Sequence, residues 1–170
     1  SIGNATANEF QLYTGVDERL YLKAETSGTD LDVRTENDAI SLNTWHHIVV
    51  TWDGNASPAE VPIFYVDGVV KALNSSYNTA QAGWTSTAFA ETGVTIGNDN
   101  DDDAAWEGYI GDVAIWNRNL TAAEAKVLYN DGYQPDLKVV LTTELVSWWR
   151  MGDGTNNAST PDSNTTIYDS

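Results

Sequence analysis

No cysteine occurs among the 170 residues, so disulfides, thiolate metal sites and thiol nucleophiles play no part, and the redox compartment stays open. Positive charge is scarce too: eight Lys and Arg stand against 25 Asp and Glu, a formal charge of -17. Such a surface repels phosphate backbones and anionic headgroups, both of which are held by cationic side chains, so neither nucleic acid nor membrane insertion is expected. Only two histidines are present, His46 and His47. Neighbours on a strand point to opposite faces and cannot share a metal, and no further histidine completes a zinc site or a nucleophilic triad. The serine-rich stretches lack a G-x-S-x-G elbow. No apolar run approaches the roughly eighteen residues of a bilayer span. No Met and no basic-then-apolar leader opens the chain at Ser1, which reads as a piece of a larger protein or a processed product.

What is present is enough for a core. The hydrophobic share is 41% and the aromatic share 11%, with seven Trp, in a chain near the usual size of one domain. The acidity suits a saline or extracellular setting, where screening and divalent cations relieve self-repulsion.

Apolar and polar residues alternate through Phe10 and Leu12, then Leu20, Leu22 and Ala24, then Leu31 and Val33, the period-two pattern of half-buried strands. Turn chemistry at 15–18 and 27–29 spaces these strands as in a sandwich or barrel. The run from Trp45 to Trp52 is β-branched and aromatic on both faces, predicting a central strand covered on both sides, with Trp45, Trp52 and Trp116 in the core. Asp67-Gly68 between two apolar runs predicts a tight hairpin. The polar stretch 74–92 reads as a functional loop or one carrying a short strand. Strand signals return at Val94–Ile96, at Tyr109–Trp116 and at Leu145–Arg150. Thr121 with Glu124 forms a capping box, which predicts one short helix that Gly132 stops, and a polar tail follows from Gly152.

Three strings then carry a resemblance: Leu42-Asn43-Thr44-Trp45-His46-His47-Ile48, Val66-Asp67-Gly68, and Gly108 to Glu124 with Asp112-Val113-Ala114-Ile115-Trp116 at its centre. In this order and spacing, over residues 10–132, the chain resembles the laminin-G-like, concanavalin-A-like (pentraxin-like) jelly-roll superfamily. The resemblance implies an all-β fold: a two-sheet antiparallel jelly-roll β-sandwich with one short helix towards the C-terminal side. The sandwich is expected over 1–144. Residues 145–170 carry Leu145-Val146-Ser147-Trp148-Trp149 and Ile167-Tyr168-Asp169-Ser170, strings that resemble the family's opening strand and its turn. They either complete this sandwich or open a following repeat.

Hard oxygen ligands crowd at Asn98-Asp99-Asn100-Asp101-Asp102-Asp103, where mutual repulsion favours a bound cation. Asp99, Asp101, Asp102 and Asp103 are the expected Ca²⁺ ligands, supported by the calcium found in the superfamily. The string is not an EF-hand, since Ala104 replaces the needed Gly and Ile110 the bidentate Glu. The competing reading is a solvated acidic loop. Tyr77, Trp84 and Trp106, with Asn98 and Asn100, are the expected ligand-binding residues, because aromatic faces stack on sugar C–H surfaces; Trp106 could equally cap the end of the sandwich.

Related sandwiches include glucanases, which need paired carboxylates on one strand face. Their E-x-D-x-x-E string is missing, and the nearest approach, Glu36-Asn37-Asp38-Ala39-Ile40-Ser41, reads as a turn. No catalytic residue and no enzymatic activity are expected. The expected function is a carbohydrate-binding, adhesive module of a cell-surface or virion protein, binding a surface polysaccharide or glycoprotein. The alternative is a structural or decoration module that contacts neighbouring protein subunits in a particle, filament or surface assembly.

Overall fold

The computed structural model describes residues 10–24, 31–79, 94–97 and 106–150. The chain divides into two compact units, one formed by 1–106 with 120–134 and the other by 107–119 with 135–170. The described residues are mostly β, with three small antiparallel sheets and one short α-helix, an arrangement consistent with a β-sandwich.

In the first unit, strands β1 (Phe10–Thr14), β2 (Leu20–Ala24) and β3 (Leu31–Arg34) form an antiparallel sheet in that order. The period-two reading holds: Leu20, Leu22, Ala24, Leu31 and Val33 are buried, while Tyr21, Lys23, Asp32 and Arg34 alternate with them on the other face. A second sheet is built from β4 (Ile48–Thr51), β5 (Ile63–Val66) and β6 (Val69–Val70). Phe64 and Val66 join the buried cluster of β2 and β3, and Ile48, Val50 and Trp52 pack against it. The two sheets of this unit therefore share one core, in which each fully buried aliphatic or aromatic side chain contributes about 1.5–3 kcal/mol.

The Asp67-Gly68 hairpin forms as expected, with φ of 53° and 72° at its two turn residues. Gly68 is required twice over. Its backbone is left-handed, and a Cβ there would lie 3.2 Å from the Lys126 backbone. After β6 the chain crosses to the free edge of β3, where Thr35 bridges Leu73 and backbone bonds join Glu36 to Ala72, Asn74 to Arg34 and Arg34 to Tyr77.

Two expectations about the Trp45–Trp52 run need correcting. β4 starts at Ile48 and, among the described residues, is an outer strand of its sheet, with β5 in the middle. An apolar run on both faces signals double-sided burial, here of Val49 and Thr51 on one side and Ile48 and Val50 on the other, but not position within the sheet. Trp45 is 68% exposed and not in the core, because a left-handed residue, Asn43 (φ 57°), turns the chain before the strand begins. Trp52 is half-buried against the core and donates its indole N–H to the Glu60 carbonyl at 3.1 Å. The Val94–Ile96 signal yields only an isolated bridge residue, Ile96.

Helix α1 (Ala122–Tyr129) begins at the predicted capping box: Glu124 N–H donates to Thr121 Oγ1 at 3.2 Å and Thr121 N–H to Glu124 Oε2 at 2.8 Å. Its C-cap is Asn130 in the left-handed region, before the expected Gly132, and a single 3-10 turn then carries the chain through Asn130–Gly132. Asparagine is the other residue that tolerates this conformation, so the stop falls two positions early. Leu120 N–H donates to the buried Thr51 Oγ1 at 3.0 Å, tying the helix entry to β4.

In the second unit, β7 (Val113–Trp116) pairs antiparallel with β8 (Leu145–Trp149), with a bulge at Ile115/Trp116. The expected strand from Tyr109 is thus shortened to Val113. Trp148, 2% exposed, donates its indole N–H to Asp112 Oδ2 at 2.7 Å and carries the Arg150 guanidinium over its ring at 4.8 Å. Trp116 is half-buried and donates to the Leu141 carbonyl at 2.8 Å. Among the described residues no helix is long and apolar enough to cross a membrane.

Candidate functional site

Among the described residues of the first unit, Tyr133 is exposed beyond the helix, and two places, the β1–β3 sheet and the loop 41–47, hold aromatic side chains at the surface by different means. The first is the polar face of the β1–β3 sheet. The register places Tyr13 opposite Tyr21 and Tyr21 opposite Arg34. Because neighbouring strands are about 4.8 Å apart, side chains in register stack face to face. The Tyr13 and Tyr21 rings lie 4.9 Å apart at 11°. The Arg34 guanidinium continues the row, 4.9 Å from the Tyr21 ring on one side and 3.3 Å from the Tyr77 ring on the other. Tyr77 reaches this position because its backbone is hydrogen-bonded to Arg34 and Asn74, and its side chain remains partly exposed.

Carboxylates flank the row. Tyr21 Oη donates to Asp17 Oδ2 at 2.6 Å, and this bond, against some desolvation, holds the Asp17 pKa below its ordinary value. The Tyr21 phenol is pushed upward by burial and by the same bond. Gly15 makes room here, since a Cβ would meet Asp17 Oδ1 at 2.5 Å and the Tyr21 ring at 2.8 Å. Arg34 donates to Asp32 Oδ2 at 2.7 Å. Burial works against the Arg34 charge, but the Asp32 bond and the negative potential around it outweigh that and raise its pKa.

The second place is the loop 41–47. His46 is clamped at both ring nitrogens: Nε2 accepts the Ser41 N–H at 2.9 Å, which leaves Nδ1 as the protonated nitrogen, and Nδ1–H donates to Asp67 Oδ2 at 2.7 Å. The other Asp67 oxygen accepts the His47 N–H at 2.9 Å, and Asp67 N–H donates to the His47 carbonyl at 2.9 Å. One hairpin carboxylate thus holds the loop that displays Leu42 and Trp45, both well exposed. His47 faces away, 6.2 Å from the Tyr129 ring. Burial depresses its pKa, with Asp67 opposing weakly, and its Nδ1 has no partner among the described residues.

Of the sequence-predicted site residues, Tyr77 and Trp106 are described. Trp106 is half-buried, its backbone N–H donates to the Gly97 carbonyl at 2.7 Å, and its indole N–H is buried without a partner among the described residues. Trp84, Asn98, Asp99, Asn100, Asp101, Asp102 and Asp103 lie outside the described residues. Among the described residues no group of three or more His, Cys, Asp or Glu could hold a metal ion. Glu36 and Asp38, the nearest approach to a glucanase string, are exposed and adjoin the turn before the Trp45 loop. Sequence reasoning missed Trp45 as a surface residue. The left-handed Asn43 could have been suspected from Asn-Thr ahead of the strand, but a tryptophan beside β-branched residues reads more naturally as core.

Short antiparallel sheets on a common core define a mostly β domain consistent with a β-sandwich. Residues 1–126 match the laminin G type 3 family model, described as Concanavalin A-like lectin/glucanases superfamily, and the chain belongs to that family. No curated protein matches the sequence. Among solved structures, an S-layer domain-containing protein from Clostridium thermocellum is similar at 22% identity with a TM-score of 0.41; the match covers 74% of this chain and 58% of that one.

Proposed function

We propose that this chain is a non-catalytic carbohydrate-binding module of a surface or extracellular protein, built as a two-sheet jelly-roll sandwich and supported by Ca²⁺ at Asp99, Asp101, Asp102 and Asp103. The observation that carries the reading is Tyr77, whose ring is fixed by Arg34 behind it and by backbone bonds beneath it while part of it stays open to solvent. A pre-set aromatic ring stacks on the C–H face of a sugar with little entropy left to lose. Membership of a superfamily named for lectins and glucanases supports the class of ligand, and the missing glucanase carboxylate string supports binding without hydrolysis. The test is binding to an array of immobilised polysaccharides with and without a chelator. Retention that weakens on chelation and in Tyr77→Ala is expected; no retention on any polysaccharide would refute the reading.

A further inference from the structure

We propose that Trp45 is a second carbohydrate contact, a stacking platform for one neutral pyranose ring on the loop 41–47; this rests on the reading above. The energetic argument starts from exposure. Trp45 leaves 68% of its surface in water and Leu42 leaves 65%, on a loop braced by its own hydrogen bonds and tied to the Asp67 carboxylate through His46 and His47. Ser41 N–H and the Asp67 carboxylate fix His46, next in sequence to Trp45, and the Thr44 hydroxyl donates to the Leu42 carbonyl at 3.3 Å. The backbone bearing the indole is therefore preorganised, and binding loses little loop entropy.

The chemistry of the surrounding residues selects the ligand. Between the two apolar side chains stand Asn43 and Thr44, both exposed, which offer an amide donor and acceptor and a hydroxyl oxygen. An indole flanked by uncharged hydrogen-bonding groups matches the two surfaces of a pyranose, its C–H face and its ring of hydroxyls. One indole and one isobutyl group fall far short of the roughly 1,000 Å² that a stable protein interface buries. A net charge of -17 disfavours uronic and sialic acids, as it disfavours anionic lipid, so the sugar is a neutral one.

The experiment uses the full chain labelled with 5-fluorotryptophan, the Trp45 resonance being assigned by Trp45→Phe. Soluble neutral oligosaccharides of glucose, galactose and N-acetylglucosamine are titrated in, followed by fluorine NMR and calorimetry. The expected result is a saturable shift of the Trp45 resonance, with affinity falling at least about tenfold in Trp45→Ala while its melting temperature stays that of the parent. Binding that leaves the Trp45 resonance and the Trp45→Ala affinity unchanged overturns this contact alone and leaves the lectin reading standing. Absence of any binding, here and on the polysaccharide array, overturns both.

Discussion

The tyrosine row on β1–β3 and the tryptophan on the 41–47 loop solve one problem in opposite ways. In the row, the faces of Tyr13 and Tyr21 are consumed by one another and by Arg34, so their apolar area supports the sheet, while Tyr77 at the end of the row, stacked on Arg34, keeps part of its ring open. In the loop, polar groups provide the rigidity through His46 and Asp67, and Trp45 keeps 68% of its surface exposed. An aromatic ring held by stacking contributes to stability in proportion to what it cannot display. A ring on a loop whose neighbouring residues are held by hydrogen bonds can leave most of its surface exposed.

That contrast can be broken by substitution. The largest effect is expected from Asp67→Ala, which leaves the His46 Nδ1–H and the His47 N–H without their acceptor; a loss of about 1–3 kcal/mol is expected in urea unfolding, together with loosening of the loop. Gly68→Ala follows, because left-handed backbone in a residue with a Cβ costs about 1–2 kcal/mol and the Lys126 backbone must also give way. Arg34→Met keeps the apolar stem and removes only the charge between the two tyrosines; about 1 kcal/mol is expected by thermal melting, with Tyr77 freed to move. Trp45→Ala, by contrast, should leave the unfolding midpoint within about 0.5 kcal/mol, as for most surface substitutions. If it destabilised as much as Arg34→Met, the distinction between a stacked and a displayed ring would collapse.

A pH series sharpens the same comparison. His47 has its pKa lowered from 6.5 by burial, so the unfolded chain takes up a proton before the folded one does. Stability should fall as pH drops below 6.5 towards the lower folded value, and His47→Phe should flatten that slope. Asp17, lowered from 3.8, acts in a separate and more acidic window: its contribution is present above 3.8 and is lost as pH falls through the folded value. Asp17→Asn should therefore lower the denaturation midpoint above pH 3.8 and make the loss on the acid limb correspondingly smaller, measured as denaturation midpoint against pH.

Features set by local chemistry were legible in the sequence. Alternation located β1, β2 and β3, the Asp-Gly pair located the hairpin, and Thr121 with Glu124 located the helix start, because each is determined by residues within a few positions of one another. The candidate sites were legible only in part. Tyr77 could be suspected as an isolated aromatic in a polar stretch, but its partner Arg34 is brought to it by a chain crossing between sheets, which no local pattern encodes. Trp45 was misread as core because composition reports what a segment can bury, not where its strand starts. His46 and Asp67 lie 21 positions apart, and only the pairing of β4 with β5 places the imidazole beside the carboxylate.

The passage of residues 72–77 along β3 has a further consequence. A bare outer strand offers its amides to any passing chain and so invites aggregation, whereas here the protein's own backbone occupies that position. The same segment continues from the hairpin that clamps the tryptophan loop, so amides on both sheets should exchange with deuterium as one cooperative block. Opening at either aromatic surface would then require opening at the other.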